Sequence, residues 1–205
     1  MHPNPAFRQN GTERHLEFAR DRAFGMIAVN AEHGPLLSHV PFLIADDGRS
    51  ADLHLVRSNP IARLGTTDAV IVVSGPDGYI SPDWYGVEDQ VPTWNYVAVH
   101  LRGRLEPQPH DTLIDLLSRQ SAAFEARLAP KPPWMPEKMS DGALKRMMRM
   151  IVPFRLTIVE VQGTWKLNQN KSDSARIGAA ASVTGGFGHE LTSLSELMRT
   201  IAPVD

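Results

Sequence analysis

The sequence contains no cysteine, which excludes disulfides, thiolate metal centres and a cysteine nucleophile and fits a reducing compartment. It contains no apolar run of about 18 residues, the length a membrane-crossing helix requires. Its opening, "MHPNPAFRQNGTERHLEF", lacks the basic and then apolar pattern of a signal peptide. A cytoplasmic chain with no membrane association is therefore expected. There is no excess of charge of one sign: 21 Lys and Arg against 23 Asp and Glu give a formal net charge of −2. That balance supplies no global field for nucleic acid, so a DNA contact would need a local patch or a partner. H-E-x-x-H, G-x-S-x-G and G-x-x-x-x-G-K-[ST] are all absent, which leaves metal-assisted, serine and nucleotide hydrolysis without a motif. No residue is assigned a catalytic or metal-ligating role. No internal repeat is found, and "TGGFG" does not sit between a strand and a dinucleotide-binding helix, so it reads as a linker. Aromatic residues make up only 7% of the chain. Tyr79, Trp84, Tyr85, Trp94 and Tyr96 nevertheless share one stretch, "YISPDWYGVEDQVPTWNYVAVH".

The 205 residues, 42% of them hydrophobic, suffice for one large or two small domains. After Thr12, a potential N-cap, Leu16, Ala19 and Ala23 recur at helical spacing. "FGMIAVN", "GPLLSHVPFLIA" and "SADLHLV" read as a three-stranded meander, and "DAVIVVSG" as a short buried strand ended by a turn at "GPDG". In "NYVAVHLRGRLE", Val97, Val99, Leu101 and Leu105 alternate with polar or small residues, the plainest strand pattern in the chain. Asp111 is placed to cap a helix striped with Leu113, Leu116, Leu117, Phe124 and Leu128, stopped by "APKPPWMP". Leu144, Met147, Met148 and Ile151 give a second amphipathic helix, with Lys145, Arg146 and Arg149 on its other side. "FRLTIVEVQGTWKL" returns to strand composition, and Ser193 and Glu196 have capping-box spacing in a small C-terminal helix. Six or seven strands with two late helices predict a mainly β fold, an antiparallel barrel decorated by helices. The helices are too far apart for a helix-turn-helix, whose turn has about 3–4 residues.

The aromatic stretch has two readings from its residues alone: a cap over a barrel mouth, or a rigid wall for a flat ligand. The order of local motifs bears on that choice. "LLSHVPFLI", "LHLVRSNP", "YISPDWY", "VPTWNYVAVH" and "WKLNQNKSDSAR" together resemble the PaiB-like FMN-binding negative transcriptional regulators, within the wider flavin-binding split-barrel group. The likeness runs from Phe7 to about Gly178 and departs from the family at Val56, Ser58 and Asn168, where alanine, alanine and serine are usual.

What the resemblance implies is an antiparallel split β-barrel of FMN-binding type that dimerises, with FMN in a groove made by both subunits. The expected domain spans residues 1–178, with inserted helices at about 111–151, and residues 179–205 form a linker and short helix. FMN needs cations and hydroxyls for its phosphate, amides for its pyrimidine edge, and apolar or aromatic walls. By motif, the cofactor-binding candidates are Arg57, Ser58 and Asn59 in "VRSNP", Tyr79 and Ser81, Thr93, Trp94 and Asn95, and Lys166, Gln169 and Asn170. Asn59 equally suits a cap before Pro60, and "WKLNQN" equally suits a solvated turn after a strand. His39 and His54 read as structural histidines. The function implied is a homodimeric regulator of transcription that binds FMN. An FMN-dependent oxidoreductase using a nicotinamide or other donor is the alternative, and a haem-binding split barrel a third. DNA or a regulatory partner follows from the resemblance only.

Overall fold

A computed structural model describes residues 1–140 and 142–204. Among these residues the strands are β1 (Phe24–Val29), β2 (Leu36–Ile44), β3 (Ser50–Val56), β4 (Thr67–Ile80), β5 (Thr93–Pro107), β6 (Ile151–Lys166) and β7 (Gly188–His189). The helices are α1 (Thr12–Arg22), α2 (Leu113–Glu125), α3 (Ala143–Met148), α4 (Asp173–Ser182) and α5 (Leu191–Thr200). The strands follow the order β1-β2-β3-β6-β5-β4-β7, and β4 also pairs with β1. That second pairing closes β1 to β6 into an antiparallel barrel of six strands with helices added. Closure joins Met26, Ile27 and Ala28 to Val72, Ile71 and Val70. It leaves the barrel strands without an open edge.

The chain divides into two compact units. The larger comprises Leu16–Val72 and Leu101–Val161, and contains the pairings of β1 with β2 and β4 and of β3 with β2 and β6. The other comprises Met1–His15, Val73–His100 and Gln162–Asp205.

The alternation read in β5 is present: Asn95, Val97, Val99, Leu101 and Leu105 are buried, whereas Trp94 and Arg104 are exposed. Period-2 burial on one face is what a closed sheet demands. In the larger unit, Asp52 on β3 is 8% exposed and lies between two cations. Arg155 of β6 grips it at 2.7 and 3.0 Å, and Arg119 of α2 at 3.0 Å. Burial tends to raise the Asp52 pKa, but hydrogen bonds and charge from Arg155 and Arg119 outweigh it and hold the carboxyl below its ordinary value. These contacts, with buried Leu113 and Leu116, fasten α2 to the sheet.

In the smaller unit, His15 is 4% exposed and lies parallel to the Trp165 ring. Its Nδ1 accepts a hydrogen bond from Trp165 Nε1 at 3.1 Å, which puts the ring proton on Nε2. Burial, and then the charge of Arg14, lower its pKa. The same unit holds the C-terminal helices. Ser172 caps α4, and buried Arg176 donates to the carbonyls of Met198 and, at 3.0 Å, of Arg199, taking up carbonyls at the end of α5.

Several elements differ from the sequence expectation. β4 runs straight through "GPDG" instead of turning, because Asp77 and Gly78 pair with His189 and Gly188 of β7. Gly78 is needed for close approach: a Cβ there would stand 2.8 Å from a methyl of Leu194. "TGGFG" is accordingly a 3-10 turn running into a strand, not a free linker. α3 stops at Met148, and Ile151 belongs to β6 opposite Val56. Pro153 favours extended backbone at the residue before it, which ends any helix there. Asp111 lies in a 3-10 turn before α2 rather than capping it, and Leu128 is 52% exposed. α5 begins at Leu191, so Ser193 and Glu196 sit inside it and form no capping box.

Asp52→Ala should cost about 2 kcal/mol in urea unfolding, between the ~0–1 of an exposed pair and the ~3–5 of a fully buried one, since both arginines are partly exposed. The Asp52 contribution is complete above its ordinary pKa of 3.8 and is lost as pH falls through the lower folded value. His15 and His54 are likewise lowered from 6.5, in both cases first by burial. In each the unfolded chain takes up the proton first, so stability should fall as pH drops below about 6.5. His15→Asn should flatten that fall; an unchanged slope would remove His15 from this role.

Candidate functional site

Lys166 ends β6 in the smaller unit. Its Nζ donates to Thr93 Oγ1 and, at 2.8 Å, to the carbonyl of Trp94, both at the start of β5. Burial first, and then the positive charge of Lys171, lower the Lys166 pKa. Lys171 donates to Gln90 Oε1 at 2.5 Å and lies 5.3 Å from the Tyr85 ring centre. Lys171 is therefore close enough to act against the charge of Lys166, an arrangement that an anion relieves.

Beside this pair stands an aromatic group. Tyr79 and Trp94 meet edge to face at 6.4 Å, and Trp94 meets Phe187 at 5.6 Å. The arrangement follows from strand pairing: Tyr79 N–H donates to the Phe187 carbonyl at 2.9 Å, just before β7 joins β4. Trp94 is 42% and Phe187 72% exposed, so both offer ring surface. Tyr85 and Trp84 of the stretch have packing tasks. Tyr85 is buried and its hydroxyl donates to Asn168 Oδ1 at 3.3 Å, while Trp84 packs against Gly178 and Gly186. The stretch thus combines packed rings with an exposed aromatic face.

Several sequence candidates face elsewhere. Asn95 is fully buried on the same face of β5 as Val97, and neither its Oδ1 nor its Nδ2 has a hydrogen-bond partner among the described residues. Gln169 is 2% exposed: its Oε1 accepts from Leu167 N–H at 2.8 Å, and its Nε2 donates to Trp165 O at 2.5 Å and Ala6 O at 3.2 Å. That inward turn is set by Asn168, whose φ of +63° lies in the left-handed region that asparagine tolerates. Asn170 is exposed, and Ser81 is partly buried with its carbonyl accepting from Trp84 N–H.

Arg57, Ser58 and Asn59 belong to the larger unit. Arg57 donates to the carbonyls of Arg149 and Ile151 at 3.0 and 3.5 Å, holding the turn between α3 and β6. Asn59 takes the capping role left open by its sequence: its Oδ1 accepts from Ile61 N–H at 2.9 Å and its Nδ2 donates to Ser38 Oγ. Ser58 is exposed. His54 is partly buried and bonded to Gln120, and exposed His39 stacks on Phe24. Sequence reasoning missed Lys171 and Phe187. Lys171 follows "WKLNQN" directly and was open to the same charge argument; Phe187 depends on a long-range strand pairing that leaves no local signal.

The donor set fits FMN at the level of chemistry. Lys166, Lys171 and the Thr93 hydroxyl suit a phosphate dianion, and the Tyr79, Trp94 and Phe187 rings suit a flat ring system. Among the described residues no group of three or more His, Asp or Glu is placed to hold a metal ion.

The closed six-strand barrel, taken with the family match of its sequence, makes this a flavin-binding split-barrel protein. Residues 1–160 match the family described as "Putative FMN-binding domain"; the chain belongs to that family, and its cofactor is FMN. The chain is 27% identical over 196 residues to "Protease synthase and sporulation protein PAI 2" of Bacillus subtilis, covering 94% of this chain and 93% of that protein. It is 24% identical over 216 residues to the uncharacterized protein AN0679 of Emericella nidulans, covering 83% and 84% of the two chains. Its fold resembles that of the FAD and heme binding protein from Mycobacterium smegmatis, with a TM-score of 0.57 and 15% identity over 89% of this chain and 82% of that one.

Lys166→Ala should weaken FMN far more than riboflavin, because only FMN carries the phosphate. The loss expected is about 1.5–3 kcal/mol, nearer the lower figure for a half-buried lysine. Trp94→Ala should weaken both flavins alike. Both comparisons are made by fluorescence titration, and equal loss of FMN and riboflavin in Lys166→Ala would move that residue away from the phosphate.

Proposed function

We propose that the protein is a cytoplasmic homodimer that binds FMN and acts as a negative regulator of transcription, of PaiB type. The observation that carries the binding half is the Lys166 ammonium, half-buried beside Lys171 and held by Thr93 next to exposed Trp94. In this reading Lys166, Lys171 and Thr93 take the phosphate end, and Tyr79, Trp94 and Phe187 contact the ring. Arg57 and Ser58 are proposed as separate anion contacts of the larger unit, and Asn170 and Ser81 as polar contacts at the rim of the Lys166 site. Gln169 is proposed to support the site by holding the turn after β6, and Asn95 to lie inside the core beneath it; neither is proposed to touch the cofactor.

The regulatory half comes from the motif resemblance to the PaiB-like regulators; the likeness to PAI 2, named for protease synthesis and sporulation, extends along nearly the whole of both chains. Among the described residues no helix is long and apolar enough to cross a membrane.

The test combines two measurements on purified protein. Sedimentation with and without FMN should give a dimer whose self-association strengthens when FMN binds, since a shared site links the two equilibria. Binding to a promoter fragment should be salt-sensitive, should respond to flavin, and should be missing with a scrambled fragment. A monomer that holds FMN with undiminished affinity overturns the dimeric site. Nicotinamide turnover well above that of free FMN, without promoter binding, replaces the regulator by an FMN-dependent oxidoreductase.

A further inference from the structure

The helical insertion of the larger unit carries two cavities that the flavin reading does not use. The first has a volume of about 490 Å³ and is walled by Ile114, Leu117, Trp134, Met139, Leu144 and Met147. Small-molecule sites typically run from about 300 to 1,000 Å³. Ile114 is 45% and Met147 54% exposed, so the apolar stripe of α2 and the apolar side of α3 remain partly in water. Methionines are adaptable linings that fit an aliphatic chain without a fixed shape. The second cavity, of about 460 Å³, is lined by His110, Gly142, Lys145, Arg146, Met148 and Arg149. Met148 lines both cavities, so they adjoin at that side chain.

The charge around the second cavity has no ion-pair partner among the described residues. From Gly142 to Arg149 the sequence has cations and no carboxylate. Among the described residues Lys145, Arg146 and Arg149 make no ion pair. The Nε2 of His110 lies 3.3 Å from the Met148 carbonyl, tying the turn before α2 to the end of α3. An apolar slot on one side of a short helix, with cations on the other that make no ion pair among the described residues and a shared wall at Met148, is complementary to an amphiphile with a negative head. A neutral apolar compound would leave the cations unused, and a simple inorganic anion would leave the slot empty.

We propose that this insertion binds an organic anion with an aliphatic tail, a medium-chain carboxylate being the simplest member of the class. The tail lies among Trp134, Leu117 and Met147, and the carboxylate faces Lys145, Arg146 and Arg149. This site is independent of the flavin reading and stands or falls without it.

The experiment uses the full-length protein, with octanoate and octan-1-ol as probes and Trp134 emission and calorimetry as readouts. Octanoate should bind saturably and shift an emission component that is missing in Trp134→Phe. It should bind at least about fivefold more tightly than octan-1-ol, the scale of partly exposed charge pairs. A variant combining K145A, R146A and R149A should bring the two probes to parity, and its solvent-exposed positions should leave the fold unchanged by circular dichroism. Ser121 also lines the slot, and Ser121→Trp, which fills it, should abolish binding of both probes by calorimetry. The proposal is overturned by no saturable octanoate binding, by equal affinity of the two probes in the natural sequence, or by a signal that survives in Trp134→Phe. It is also overturned if Trp134 emission shifts with protein concentration in step with self-association, because a second copy of the chain then covers the slot.

Discussion

Closure of the barrel at the β1–β4 seam is the constraint on which the remaining structure depends. Gly25 makes room for it: a Cβ at that position would stand 2.6 Å from the Val72 carbonyl oxygen, and backbone cannot swing aside as a side-chain tip can. With the sheet closed, each strand has one face in the core and one outside, and residue parity decides which side chains can meet a ligand. On β5 that parity sends Asn95 inward with Val97 and Val99 and leaves Trp94 outside. Position relative to the pleat, more than residue chemistry, selects the candidate site.

The cationic cluster illustrates how the fold holds a group in a state water would not favour. Lys166 is anchored by oxygens of Thr93 and Trp94 at the start of β5, while burial and Lys171 both act against its charge. Asp52 is the opposite case. Its burial is also unfavourable to charge, but Arg155 and Arg119 supply direct partners and leave it ionised and structural. An ion that already has its counter-charges stabilises a fold, whereas cations lacking them create affinity for an anion. The C-terminal helices add to this cluster indirectly: α4 and α5, joined through Arg176, flank the segment that brings Phe187 against Trp94.

What could be read from sequence and what could not divides along physical lines. The β5 alternation, the meander of β1 to β3 and the apolar stripe beginning α2 were legible because period and burial agree locally. "GPDG" misled because glycine and proline ordinarily punctuate, whereas here Gly78 is small so that Leu191 and Leu194 can approach. α4 was missed because its buried face is alanine, Ala175, Ala179 and Ala180, with too little hydrophobic contrast to show a period. The inward turn of Asn95 was available in the β5 pattern, since it shares parity with Val97. The inward turn of Gln169 was not, because it follows from the left-handed backbone at Asn168. Trp94 and Lys166 were found through motif resemblance, but their contact with each other belongs to strand pairing between distant segments.

The central claim is that a half-buried ammonium is kept ready for a phosphate, and Lys166 itself can report on it. Its ionisation can be followed by NMR of protein labelled at the lysine Nζ, with Lys166→Arg used to assign the resonance. The free protein should show Lys166 titrating below its ordinary value of 10.5. Saturation with FMN should raise that pKa, and saturation with riboflavin should leave it where it was. A pKa indifferent to FMN, or raised equally by riboflavin, would contradict the account.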